Sequence, residues 1–235
     1  MKQLARAAAI GTLSLIVNAA FAQQTGDWLA NVGWAHVSPG AKLDAVSSTE
    51  PLANYALQGA SVRVGDEDTL QFGVTYMVTD NVGAELSLGI PPKLNLDLSV
   101  PTGAHPKAMS TRALMPALSA KYFFGEPSKS DLRPFLGLGI SYVSFTDNSF
   151  NASDAIVGGL AGQSISIKST WAPVYTLGVS YRLNGNWYLN GSANYLPVKT
   201  DATLIGPGVG AGATTTSASL KMDTAIYLLS LSYKF

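Results

Sequence analysis

The chain ends Ala225-Ile226-Tyr227-Leu228-Leu229-Ser230-Leu231-Ser232-Tyr233-Lys234-Phe235, and this stretch decides how the rest is read. Counting back from Phe235 by twos gives Tyr233, Leu231, Leu229, Tyr227 and Ala225, with Lys234, Ser232 and Ser230 between them. A period of two with one apolar face marks a β-strand. An aromatic-ended strand that closes an exported chain suits a bacterial outer-membrane barrel, because a sheet that spans lipid can leave no edge unpaired.

Export is written at the other end. Lys2 and Arg6 precede an apolar run from Ala7 to Val17, and Ala20-Phe21-Ala22 supplies small residues before Gln23. That order of charged, apolar and small regions is a signal peptide, so residues 1–22 are expected to be removed after Ala22 and residues 23–235 to form one barrel domain. The apolar run falls well short of the roughly 20 residues of a spanning helix. Acidic and basic residues balance at 15 each, which leaves no electrostatic footprint for nucleic acid. Cysteine is absent and only His36 and His105 are present, so neither thiolate nor histidine-rich metal sites are expected, and no cofactor. The chain is 47% apolar and only 13% charged, against roughly 25% charged in a soluble domain, yet no mature segment reads as a spanning helix. Alternation resolves the conflict: lipid-facing and lumen-facing residues take turns along barrel strands.

Period-two segments number eight, at Asp27–Val37, Asp68–Val78, Val82–Ile90, about Ser110–Phe124, Leu132–Phe145, Thr170–Leu183, Trp187–Val198, and from near Leu220 to the end. Thr79-Asp80-Asn81 and Asn184-Gly185-Asn186 are tight turns. Links after the second, fourth and sixth segments are short. Those at 38–67, 91–109, 146–169 and 199–219 are long. The expected fold is an all-β, eight-stranded antiparallel transmembrane β-barrel, up-and-down, with short periplasmic turns, long extracellular loops and both termini in the periplasm of the bacterial outer membrane. A soluble sandwich or lipocalin-like barrel would instead turn its large apolar side chains inward.

Inward positions then follow by parity. Ionisable ones lie near the periplasmic strand ends: Glu85, Lys121, Arg133, Arg182 and Lys234. Glu85 stands roughly 13 Å up its strand from Asn81, and pairing with Arg182, Arg133 or Lys121 is expected, since an unpartnered charge in a narrow lumen is costly. Eight strands enclose only enough space for side chains or one small ligand, so these groups should plug the periplasmic half. Toward the outer side the inward set is apolar: Met77, Met115, Phe135, Val143, Phe145, Val174, Leu196, Ile226 and Leu228, with Ala113, Ala117 and Val198. An apolar path above a charged floor suits a small hydrophobic molecule rather than an ion or sugar. Pro116 and Pro173 flank the fifth segment and cannot donate ladder hydrogen bonds, which suggests a lateral seam in the wall.

Other motifs are set aside. Gly206-Pro207-Gly208-Val209-Gly210-Ala211-Gly212 lacks the spacing and the following helix of a phosphate loop. Asn151-Ala152-Ser153 is a chance glycosylation sequon. His36-Val37-Ser38 has no orienting acid nearby in sequence, so no catalytic residues are assigned and no enzyme is expected.

Several separated stretches resemble the outer membrane protein W (OmpW) family: Pro116-Ala117-Leu118, Lys121-Tyr122-Phe123-Phe124-Gly125, Arg133-Pro134-Phe135-Leu136-Gly137-Leu138-Gly139-Ile140-Ser141-Tyr142, Thr79 to Leu86, and Ser232-Tyr233-Lys234-Phe235. Ser169-Thr170-Trp171 departs from the family's directly joined Ser-Trp. The resemblance implies an eight-stranded barrel with a narrow apolar lumen that helps small hydrophobic molecules across the outer membrane. Expected partners are outer-membrane lipid, such molecules, and the barrel-assembly machinery acting on the strand that ends at Phe235. A structural or surface-interaction barrel of adhesin or receptor type, working through its extracellular loops, is the alternative. No oligomeric state follows from the sequence.

Overall fold

A computed structural model describes residues 23–49, 58–154, 163–207 and 213–235. The expected leader at 1–22 and residues 208–212 of the glycine-rich stretch lie outside them. The strands are β1 (Trp28–Ser48), β2 (Ser61–Val64), β3 (Glu67–Met77), β4 (Val82–Gly89), β5 (Lys93–Val100), β6 (Gly103–Leu114), β7 (Ala117–Phe123), β8 (Leu132–Phe150), β9 (Ser164–Ile167), β10 (Thr170–Asn184), β11 (Trp187–Pro207) and β12 (Ala213–Lys234). Eight of them close a ring of antiparallel pairs, in the order β1-β3-β4-β7-β8-β10-β11-β12 and back to β1. The closing pair sets Leu29 against Lys234 and Val32 against Leu231, so the terminal strand seals the wall.

The pleat turns large apolar side chains outward. Leu138 and Leu177 are 61% and 62% exposed, whereas the inward Ser141 and Ser180 are buried at 0% and 2%. Water would not tolerate such a surface, and hydrocarbon requires it. At the turn ends of the strands, Trp28 packs on Tyr76 and Trp187 on Tyr233; at the far ends Tyr142 packs on Trp171, giving two aromatic girdles.

Two expectations about the strands need correcting. Much of the long links is strand, not loop: β1 runs on to Ser48, β8 to Phe150 and β11 to Pro207, while β5 and β6 form a further hairpin. Hydroxyl-rich runs such as Thr214 to Ser219, none of them fully buried, carry β-propensity without the apolar alternation that reveals strands in sequence. The segment expected to run unbroken from Ser110 to Phe124 is interrupted at Met115-Pro116, where proline has no N–H to offer. Pro116 keeps its acceptor in use, receiving the Tyr142 amide at 3.1 Å and the Ser141 hydroxyl at 3.0 Å.

Inward glycines let neighbouring strands and their side chains close on one another. A Cβ on Gly139 would come within 2.2 Å of Ser119 Oγ and 2.5 Å of the Leu118 carbonyl oxygen. Gly139→Ala should therefore lower stability by about 1–3 kcal/mol, the cost of overpacking, in reversible urea unfolding from lipid vesicles. Leu138→Lys, one residue away on the lipid face, should cost about 2–4 kcal/mol in the same assay if it lies near the bilayer centre.

Candidate functional site

The lumen is layered. At the end where the tight turns lie, Leu29, Met77, Phe123, Phe135 and Tyr188 pack into a buried cluster. Arg133, 3% exposed, is held beside it, donating to the carbonyls of Asp80 at 2.7 Å and of Phe124 at 3.4 Å and to Gln23 Oε1 at 3.2 Å, with its guanidinium over the Phe123 ring. Gln23 is itself buried and also donates to Ser180, so the start of the described chain stops the floor. Arg182 donates to Asp131 at 2.8 Å, and Lys234 stands 3.4 Å from Asp27, both toward the rim.

One layer up, Glu85 and Lys121 form an ion pair of 2.6 Å, with side chains 13% and 10% exposed. The register creates it: Glu85 of β4 faces Thr75 on one neighbour and Ser119 on the other, and Lys121 is the diagonal inward position two residues beyond Ser119. Thr75 donates to Glu85 Oε2 at 2.9 Å, and Asn31 to the same oxygen at 3.4 Å. Lys121 also lies over the Phe135 ring, 5.1 Å from its centroid. The polar layer continues through Asn31, Ser232 and Asn190 and, farther along β11 and on the adjoining β10, through Asn194 and Thr176. The expected charged floor is thus three separate groups, and of the three candidate partners for Glu85 the structure uses Lys121.

Above the pair lies a cavity of about 60 Å³ with the pair as its base and Val174, Leu196, Ile226 and Leu228 among its sides. Glu85 and Lys121 also border a smaller space of about 30 Å³ below, so the pair is the partition between them. The cavity reaches through the wall: its lining includes Leu88 and Ile90, outward residues about half exposed, together with Pro92, Ala113, Met115 and Ala117. The reason is a gap in the ladder. β4 pairs with β7 only as far as Ser87–Ala117, and regular pairing resumes at Lys93–Arg112, with the Ala113 amide donating to the Pro92 carbonyl at 3.3 Å at the edge of the gap. Toward the end away from the tight turns the lumen is roofed. Val143, Ala172, Val174, Leu196, Val198 and Met222 form one buried cluster and Val64, Leu94 and Ala113 another, and Ala41, Met115 and Phe145 pack against both.

Several sequence expectations shift. Met77 and Phe135 belong to the lower cluster, not the outer apolar path, because Met77 ends β3 beside a tight turn and Phe135 is the fourth residue of β8. Met115, Val143, Phe145, Val174, Leu196 and Ile226 do lie above the ion pair, and Leu228 lines the spaces on both sides of it. Pro173 sits opposite Ile140 in a β8–β10 register continuous from Thr170 to Tyr181, so the wall is not open there. The opening flanks Pro116 on its β4 side. Pro91 and Pro92 marked it in the sequence, and their position just past an alternating segment was the available signal. His36, by contrast, has an acid that only the fold brings near: Asp68 Oδ1 is 2.8 Å from its Nδ1. The Ser38 hydroxyl donates to Asp66 at 2.8 Å. Among the described residues no group of three His, Cys, Asp or Glu side chains could hold a metal.

A closed antiparallel ring with an apolar lipid-facing wall and a narrow, obstructed lumen defines an outer-membrane β-barrel. The chain matches the OmpW family over residues 24–235. It belongs to that family, whose members are non-enzymatic barrels of the bacterial outer membrane. It is 32% identical over 238 residues to outer membrane protein W of Escherichia coli (strain K12), covering 100% of each chain, and 28% identical over 211 residues to outer membrane protein AlkL of Ectopseudomonas oleovorans, covering 89% of this chain and 83% of the other. Its fold is similar to the crystal structure of OprG from Pseudomonas aeruginosa, with a TM-score of 0.78, 24% identity, and coverage of 91% of this chain and 98% of that one.

Removing one member of the buried pair strands the other. Glu85→Gln or Lys121→Met alone should cost about 3 kcal/mol in urea unfolding, and the double variant clearly less than the two singles together. The Asp80 carboxyl, in an exposed turn, is held below its ordinary pKa chiefly by the backbone amide and then the hydroxyl of Thr25, which donate at 2.9 and 2.8 Å. A depressed carboxylate stabilises above its unfolded pKa and loses that contribution as pH falls through the folded value. The protection factor of the Thr25 amide, taken relative to its intrinsic exchange rate, should therefore fall below about pH 4, and Asp80→Asn should flatten that dependence.

Proposed function

We propose that this barrel assists the passive passage of small hydrophobic molecules, which enter from the outer end, rest against the apolar side of the cavity above Glu85–Lys121, and leave sideways into the bilayer. The observation that carries this reading is the ladder gap, which places lipid-facing Leu88 and Ile90 on the lining of the same cavity as Leu196 and Ile226. The floor supports sideways exit, since two charged layers and Gln23 stand between the cavity and the turn end. An apolar solute would have to shed its hydrocarbon surroundings and disrupt a buried ion pair to go straight through, whereas the gap asks only for displacement of apolar side chains. The family resemblance points the same way.

In this reading residues 1–22 are a leader cleaved after Ala22, the turn end and both termini face the periplasm, and the β12 strand ending at Phe235 is what the barrel-assembly machinery engages. The strands beyond the lipid, β2, β5, β6 and the upper parts of β1, β8, β11 and β12, roof the lumen and so serve transport rather than acting only as a surface for other partners.

The test uses proteoliposomes with a hydrophobic tracer, and planar bilayers for ions. Wild-type protein should raise tracer uptake above protein-free vesicles without steady ion conductance. Ala117→Trp, which fills the cavity beside the gap, should bring uptake down to the protein-free level while the barrel still shows its heat-dependent shift on gels. Wild-type uptake in that variant would refute lateral exit, and ion conductance without tracer uptake would refute the hydrophobic substrate.

A further inference from the structure

On the outer surface of the barrel three lysines stand side by side. Lys42 of β1 is the direct register partner of Lys221 of β12, and Lys221 that of Lys199 of β11. All three occupy outward positions by the pleat: Lys199 shares its face with Tyr195, Lys221 with Tyr227 and Lys42 with Trp34. Neighbouring strands lie about 4.8 Å apart, so the row is about 10 Å wide. Like charges directly opposite one another destabilise a sheet. A chain with only 15 Lys and Arg residues nevertheless sets three of them in one line.

Three carboxylates stand around the row, and only Asp44 pairs with one of its lysines. Asp44, at the β1 bulge, pairs with Lys221 at 2.7 Å. Asp223, one outward position nearer the lipid, accepts the Tyr195 hydroxyl at 3.0 Å, and Asp201, one position farther out, accepts from Ser219 at 2.8 Å. Lys42 and Lys199 are exposed and form no ion pair with a described residue. Protecting a strand edge accounts for a lysine at Lys42, since β1 has no β3 partner beyond Val37. It does not account for Lys221, which lies between two paired neighbours.

We propose that this row binds the phosphate of an outer-leaflet lipid headgroup. Lys199 is two outward positions beyond Tyr195, about 13 Å along a tilted strand, which sets the ammonium groups just outside the hydrocarbon where headgroups lie. Below the row, past Pro197 and Asp223, the outward residues Tyr195, Ala225, Tyr227 and Leu229 give an apolar wall for the acyl chains of the same molecule. Lysine stems lie along apolar surface while their heads reach the polar zone, and a phosphomonoester, with about −1.5 to −2 charges, spans neighbouring ammonium groups that otherwise repel. The inference rests on the orientation proposed above, with this end outward.

Native mass spectrometry of detergent-released barrel tests it, with phosphatidic acid as the phosphomonoester lipid, phosphatidylcholine as the zwitterionic control and inorganic phosphate as the free anion. The variant K42Q/K199Q/K221Q should bind phosphatidic acid about tenfold to 100-fold more weakly than wild type, and K42R/K199R/K221R should restore it. Tracer uptake by the glutamine variant should equal wild type, which separates this site from the transport reading. Equal phosphatidic acid binding by wild type and glutamine variant overturns the proposal. So does competition by inorganic phosphate at concentrations matching the lipid, which would assign the row to a free anion. Labelling of Lys42→Cys by an impermeant maleimide on whole cells should succeed; failure there, with lipid binding intact, would overturn the orientation and the outer-leaflet assignment together while leaving phosphate recognition standing.

Discussion

Backbone amides and carbonyls in hydrocarbon have no water to pair with, and the closed ring follows from that one constraint. With eight strands the ring is so narrow that its interior must be filled rather than left open. Inward glycines such as Gly139 let strands and side chains close on one another, and the remaining space is divided among an aromatic cluster, a polar layer and an aliphatic roof. Between Ser87–Ala117 and Lys93–Arg112 the ladder thins to a single backbone bond, from the Ala113 amide to the Pro92 carbonyl, and the wall departs from the rule there.

The Glu85–Lys121 pair belongs to the same logic. A lone carboxylate there would face the desolvation cost of a charge removed from water, so its three donors, Lys121, Thr75 and Asn31, come from three different strands and fix their relative register. Because the pair also divides two cavities, it makes the lumen asymmetric: polar and tight toward the turns, apolar and laterally accessible toward the longer strand ends.

The barrel was legible in the sequence because lipid enforces alternation residue by residue; Trp171 to Leu183 and the terminal segment carry it without a fault. Inward parity also exposed Glu85 and Lys121. What parity does not carry is height. Met77 and Phe135 were assigned to the outer path although each adjoins a turn, and counting from the turn would have placed them low. Strand extension beyond the membrane was hidden because hydroxyl-rich β-structure in water needs no apolar stripe. Contacts between distant segments, such as His36 with Asp68 or Arg133 with Gln23, depend on ring closure and leave no local pattern to read.

The interrupted ladder also bears on the surrounding bilayer. A mouth edged by Leu88 and Ile90 opens to the membrane's own acyl tails as well as to any solute. On the proposed transport reading, tails that fray into it compete with cargo, so the fluidity and chain length of the host membrane become part of the protein's selectivity, and a barrel moved into a different lipid would change its behaviour with no change in its sequence.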